Sequence, residues 1–355
     1  MSRARKSKTE EYLSIVSAGV ADMVTVDDMR EESIVPTILT GYNRATGIGG
    51  QPNGCVTVIQ GPNQVGKSVL GLALVESLRR RGCPSVVFDA EFAGEREWYG
   101  AITPRSGYKP IGNLNELISN IQEMQNNLVA AKKKKIIPED IGNVYLIDTL
   151  TELMPADMLE QVKKEGPHKV YPMQAMMLSL WLKSIIQQLY WTHSTVIAIV
   201  QERDNVNKKN VWDLDYKPAG GRAIQYNNRL RARVRSSKRI TRGDRVVGMQ
   251  CRYAIENNKI VGTTFSTSSL FTSNGEDDVP KGLDYVREAI EESKERGVLV
   301  KVPKKDIIAA KFGGERLFSV RGGWEDVRQK LQGDPELLTK FIDALNADSM
   351  REKSR

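Results

Sequence analysis

Eight residues, Gly61-Pro62-Asn63-Gln64-Val65-Gly66-Lys67-Ser68, constrain this chain more than any other stretch. They fit G-x-x-x-x-G-K-[ST], the pattern of a phosphate-binding loop. The setting matters as much as the pattern. Cys55-Val-Thr-Val-Ile-Gln60 before the loop reads as a short apolar strand, and the run from Val69 to Leu78 after it reads as an apolar helix. In such a turn glycine lets backbone N–H groups curl around a phosphate. The helix N-terminus adds donors and a favourable dipole. Lys67 would reach the β- and γ-phosphates of a nucleotide, and the Ser68 hydroxyl would hold Mg²⁺.

The chain around this unit alternates strand and helix from residue 36 to about 275. Apolar strand-like runs are Val56–Gln60, Ser85–Asp89, Val144–Asp148 and Thr195–Gln201, with helical patterns at Asn113–Ala131 and Gln174–Tyr190. Buried strands alternating with helices predict an α/β fold with a mostly parallel sheet covered on both faces. Functional groups then gather at the carboxyl ends of the strands. Gly61, Glu91, Asp148 and Gln201 all fall there. Asp148 ends an apolar strand in the manner of a second metal-holding carboxylate, making Ser68 and Asp148 the candidate Mg²⁺ pair. Glu91 is the candidate to orient an attacking water, with Asp89 the second choice or a structural acid. Gln201 can hydrogen-bond a γ-phosphate, so the segment after it would respond to nucleotide state.

Two segments, Glu160 to Pro172 and Glu202 to Gly221, lack clear periodicity and read as long functional loops. Residues 1–35 form a separate N-terminal element, with Tyr12, Leu13, Val16 and Val20 at helical spacing. Residues 280–345 read as a small α+β domain, with helices at Leu283–Glu295 and Pro335–Leu345 and strands at Val298–Val302 and Leu317–Val320. Residues 346–355 are expected to be a disordered tail, and the lysine run Lys132–Lys135 a solvated loop.

Composition narrows the class. The net charge is +8, which favours polyanionic partners. Arg229, Arg231, Arg233 and Arg235 alternate at strand spacing, which places several guanidinium groups on one face. Three cysteines at wide spacing and two histidines speak against a disulfide framework or a zinc site. No secretory leader or bilayer-length apolar run is legible, so the expected location is cytoplasmic, without a membrane partner.

Taken in order, these motifs resemble the RecA family of strand-exchange ATPases. Gly47-Ile-Gly-Gly-Gln-Pro-Asn-Gly54 stands where the family has a similar glycine-rich stretch. Asp89-Ala90-Glu91 matches its Asp-Ala-Glu, and Asp148-Thr149 its Asp-Ser. Gln201 with Arg203 matches the opening of its second DNA-binding loop, and Gly220-Gly221-x-Ala223 the close. Val246–Gly248, Asn258-Lys259-Ile260 and Trp324–Pro335 continue the likeness, which spans roughly residues 8–345.

The resemblance implies a RecA-like ATPase core, an N-terminal oligomerisation element and a small C-terminal domain. It implies a helical homo-oligomer with ATP and Mg²⁺ at the protomer interface. Single-stranded and double-stranded DNA would be held by loops at about 160–172 and 202–221. Lys183, Arg203, Gly220, Gly221, Arg222 and Arg231 become DNA contacts, Trp98 or Tyr99 stacks on adenine, and Lys259 reaches ATP on the neighbour. Tyr226 stands where an aromatic residue carries the nucleotide signal across the interface. The chain departs from the family at Asn257, where a second lysine contacting the neighbour's nucleotide is usual, and in its non-acidic end. A ring-forming helicase and a nucleotide-gated assembly protein remain open alternatives on the same core.

Overall fold

A computed structural model describes residues 33–165, 171–204, 216–218, 222–262, 266–275, 279–302, 305–312 and 314–351. The compact unit begins at Ser33. The amphipathic stretch around Tyr12 to Val20 lies outside the described residues.

In chain order the first elements are β1 (Ile34–Val35), α1 (Thr40–Ala45), β2 (Gln51–Pro52), β3 (Val56–Gly61) and α2 (Lys67–Arg80). Next come β4 (Ser85–Asp89), α3 (Arg96–Ile102), β5 (Gly107–Pro110), α4 (Leu114–Lys133) and β6 (Val144–Asp148). Then follow α5 (Ala156–Glu165), α6 (Tyr171–Thr192), β7 (Thr195–Asp204), β8 (Tyr216–Pro218) and α7 (Arg222–Tyr226). The hairpin β9 (Leu230–Arg242) and β10 (Arg245–Asn258) leads to β11 (Thr267–Ser273) and β12 (Gly282–Leu283). The chain finishes with α8 (Tyr285–Glu295), β13 (Leu299–Lys301), β14 (Ile307–Phe312), β15 (Glu315–Arg321), α9 (Trp324–Gly333) and α10 (Pro335–Arg351).

The main sheet runs β12-β11-β10-β9-β3-β7-β6-β4-β5. From β9 to β5 the neighbours are parallel, while β10, β11 and β12 extend the sheet antiparallel. Strand β3 shows why a parallel sheet forms here: every residue from Val56 to Gly61 is buried, as a strand covered on both faces requires. Ile59 faces the core layer built on α2, where Leu70, Leu74 and Leu78 pack. Val56 and Val58 face the opposite layer, where α6 supplies Leu178, Leu182, Ile185 and Leu189. Those four positions recur at helical spacing and define the buried stripe of α6.

The C-terminal part has its own antiparallel sheet β13-β14-β15 and a core centred on Ile308, Leu331 and Phe341. It is fastened to the main sheet through α1. Buried Glu288 accepts hydrogen bonds from Gly41 N at 2.6 Å and from Thr40 N and Oγ1 at 3.1 and 2.9 Å. Arg44 pairs with Glu292, and Asn43 Nδ2 donates to Asn346 Oδ1 at 3.0 Å.

Several expectations need correction. Residues 160–165 are helical in α5, and Tyr171 and Pro172 open α6, so the first aperiodic segment is narrower than Glu160 to Pro172. Residues 346–351 continue α10 and are not a tail. Lys132 is no solvated loop residue. It lies on the buried face of α4, and its ammonium donates to the carbonyls of Glu139 and Thr192 at 2.6 and 3.0 Å. Ile34 and Val35 belong to the main unit, since β1 pairs with β2. Strand β14 and helix α9 were not legible in the sequence pattern. The stretch at Glu202–Asp204 prolongs β7 and pairs with Tyr216–Pro218, and residues 205–215 lie outside the described residues.

Candidate functional site

A cleft of about 590 Å³ opens at the carboxyl ends of β3, β4, β6 and β7. The loop between β3 and α2 forms its floor. Gly66 caps α2 with a φ of 97°, a left-handed conformation that suits glycine. A Cβ there would stand 2.4 Å from Cys251 Sγ, so the position tolerates no side chain. No side chain caps α2. Its first-turn N–H groups are left for an anion. Val65 anchors the loop in the core, while Pro62, Asn63 and Gln64 are exposed above it. Ser237 Oγ steadies the loop by donating to the Gln64 carbonyl at 3.3 Å.

Lys67 is buried, and its ammonium donates to the Pro62 carbonyl at 2.5 Å. Burial lowers its pKa, and the carboxylates of Glu91, Asp148 and Glu202 work against that. Ser68 hydrogen-bonds the Asp148 carboxylate. Burial lifts Asp148 to about 6, with Glu91 and Asp89 adding to the rise. A buried carboxylate facing two other acids fits a site that takes a divalent cation, because the cation supplies the missing positive charge. Ser68 and Asp148 are therefore the residues able to hold one. The loop likewise fits a polyphosphate, with Asn63 to Val69 supplying backbone donors and Lys67 the cation.

Glu91 is exposed at the mouth, and its Oε1 accepts from the Thr149 hydroxyl and from Gln201 Nε2 at 3.1 Å. The backbone N of Gln201 is in turn 3.4 Å from Thr151 Oγ1. Asp89 is buried and committed to structure. Its carboxylate accepts from Glu91 N at 3.0 Å, Gly94 N at 2.8 Å and Tyr108 Oη at 2.7 Å. That bonding folds the turn that presents Glu91. Trp98 and Tyr99 on α3 line the cleft together with Met249, Cys251 and Thr272. These last three come from β10 and β11, and sequence reasoning missed them. So did it miss Thr149 as a direct partner of Glu91.

The remaining candidates stand elsewhere. Lys259 follows Asn258, which pairs with Leu230, itself paired with Thr57 near the start of β3. It therefore sits at the end of the sheet opposite Gly61, and the structure does not bring it to its own chain's cleft. Its ammonium donates to the Tyr226 carbonyl, and Tyr226 is 68% exposed. Asn257 Nδ2 donates to Asn228 Oδ1 at 3.2 Å. Arg231 and Arg233 on β9 lie beside Glu256 of β10, and Arg233 grips Glu202 through two hydrogen bonds of 2.8 and 2.9 Å. Lys183 is exposed on α6. Gly220 and Gly221 lie outside the described residues, as do the side chains of Arg203 and Arg222.

A family model for the RecA N-terminal domain matches residues 14–272. The chain belongs to the RecA family. Among RecA proteins that it resembles, the one from Chlorobaculum tepidum is 25% identical over 304 residues, 86% of this chain and 80% of the relative. The one from Methylococcus capsulatus is 26% identical over 336 residues, 94% of this chain and 87% of the relative. The one from Bifidobacterium longum is 24% identical over 349 residues, 97% and 81%. RecA-family membership supports a nucleoside-triphosphatase activity for the chain. Among the described residues no helix is long and apolar enough to cross a membrane.

Proposed function

We propose that this chain is an ATP-dependent DNA recombinase. It polymerises on single-stranded DNA, pairs that strand with homologous duplex and hydrolyses ATP to turn the assembly over. The observation that carries this reading is the hydrogen bond from Gln201 to Glu91. It joins the acid placed to orient water to the first residue before the segment 202–221, so nucleic acid on that segment and chemistry at the cleft bias one another.

In this reading Glu91 orients the attacking water, held in place by Thr149 and Gln201. Lys67 and the loop donors bind and neutralise the phosphates. Gln201 exchanges Glu91 for the γ-phosphate and so reports its presence. Ser68 and Asp148 would hold Mg²⁺, which would supply charge neutralisation on the transferring phosphoryl group. Trp98 and Tyr99 present their rings to adenine. Lys183, Arg203, Gly220, Gly221, Arg222 and Arg231 take the DNA backbone, by charge and by close approach of backbone N–H groups. Lys259 acts on a neighbour's nucleotide, because it cannot reach its own.

Asn257 favours a second reading. Its amide is engaged within its own chain and carries no charge. With one interface lysine in place of two, nucleotide could serve mainly as an assembly signal. Electron microscopy with single-stranded DNA and a nonhydrolysable ATP analogue tests the proposal: open helical filaments are expected. Closed rings would replace it with a helicase.

A further inference from the structure

The wall of the cleft that carries Trp98 is held from outside by four consecutive residues, Lys281 to Asp284. Lys281 Nζ lies 2.8 Å from Glu97 Oε1 and 5.3 Å from the centroid of the Trp98 ring. Gly282, with φ at 124°, lies directly on α3, where a Cβ would stand 3.1 Å from the Ala101 carbonyl oxygen. Leu283 pairs with Thr272, which is itself a wall residue of the cleft. Asp284 caps α8 by accepting from Arg287 N at 3.1 Å, and its other oxygen accepts from Arg328 Nη2 at 2.7 Å. One short strap therefore ties the aromatic wall at one end to two helices of the C-terminal domain at the other.

Helix α3 packs on the core through Ile102, Trp98 and Tyr99, and the strap holds its other side. The helix has seven residues, and Ile102 is its one fully buried side chain. On the inner side Tyr99 packs against Tyr108 at 5.7 Å between ring centroids, and Tyr108 bonds to Asp89. On the outer side the strap is the fastening. A cation over an indole face biases the ring's tilt, and the ion pair to the exposed Glu97 adds a small further restraint on the helix.

We propose that Lys281 is a positioning residue that sets base selectivity in the cleft: by holding Trp98 and Glu97 it presents a flat wall to a purine. The C-terminal domain thereby tunes which nucleotide the core accepts. This inference rests on the nucleotide reading of the cleft. It concerns the base end alone, since Lys281 is fastened to α3 and not to the phosphate loop.

The test is calorimetric titration of the full chain and of Lys281→Met with nonhydrolysable analogues of ATP and CTP and with inorganic tripolyphosphate. Lys281→Met should weaken the ATP analogue about three- to tenfold, the range of a partly desolvated cation–π contact. It should leave the CTP analogue much less affected and tripolyphosphate unchanged. Lys281→Arg, which keeps the cation and the ion pair, should restore the preference. An unchanged ratio of ATP to CTP affinity in Lys281→Met overturns the inference, and so does an equal loss for all three ligands, which would mean general loosening. A wild-type chain that binds the ATP analogue but prefers no base also overturns it. A wild-type chain that binds none of the three ligands removes the nucleotide reading itself.

Discussion

Asp148 offers a prediction whose sign is fixed by its surroundings. Burial lifts its carboxyl from an ordinary 3.8 to about 6, against the pull of the Ser68 and Thr149 hydroxyls. An acid whose pKa rises on folding contributes stability that is present below its unfolded pKa and is lost as pH rises through the folded value. At about 1.4 kcal/mol per pH unit, holding this carboxylate ionised in the ligand-free chain at pH 7.5 costs about 3 kcal/mol. Asp148→Asn removes the charge and keeps the shape. One hydrogen bond is weakened, at about 1 kcal/mol, so the net gain is about 2 kcal/mol. Ligand-free Asp148→Asn should therefore melt several degrees above the parent at pH 7.5. At pH 5 the parent is largely protonated there, the penalty falls to about 1.6 kcal/mol, and the gain should shrink to roughly a third. The same variant should lose divalent-cation-dependent hydrolysis. Thermal melts of both proteins at the two pH values decide the matter. A variant no more stable than the parent at pH 7.5, or equally stabilised at both, would show that Asp148 carries no burial penalty.

Other expectations follow from the same geometry. Glu91→Gln should bind ATP normally yet turn over about 100-fold or more slowly, since only the water-orienting group changes; turnover near the parental rate would remove Glu91 from that role. Gly66→Ala should abolish nucleotide binding in a folded chain, because its methyl meets Cys251, and retained affinity measured by titration would refute the close approach. Deleting residues 1–32, and not 1–35, should leave the core folded by circular dichroism while blocking polymerisation, because Ile34 and Val35 pair with Pro52 and Gln51 in the main unit. Normal filaments from that truncation would show that the N-terminal stretch does not link protomers.

What could be read in the sequence was what buried parallel strands make visible. Val144–Asp148 is five buried residues ending in an acid, so both the strand and its functional end stood out. The same logic placed Gly61, Glu91 and Gln201 at one rim. Helix α5 escaped because Glu160 to Glu165 offers too few apolar positions to show a period. Lys132 was misread because four lysines in a row look solvated. Yet it continues the buried spacing of Leu117, Ile121, Gln125 and Leu128, and its ammonium finds two carbonyls. Met249, Cys251 and Thr272 were invisible as site residues because antiparallel strands far along the chain bring them to the cleft. No local pattern encodes such a wall, and the same holds for the strap at Lys281.

The central claim is that occupancy of the basic segment after Gln201 and hydrolysis at Glu91 are coupled. Nucleotide hydrolysis by the full chain, measured with and without single-stranded DNA at low and moderate salt, tests it most directly. Strong stimulation that weakens as salt rises is the expected result, because the DNA contacts are largely ionic. Intact ATP binding with hydrolysis indifferent to DNA at every salt concentration would contradict it.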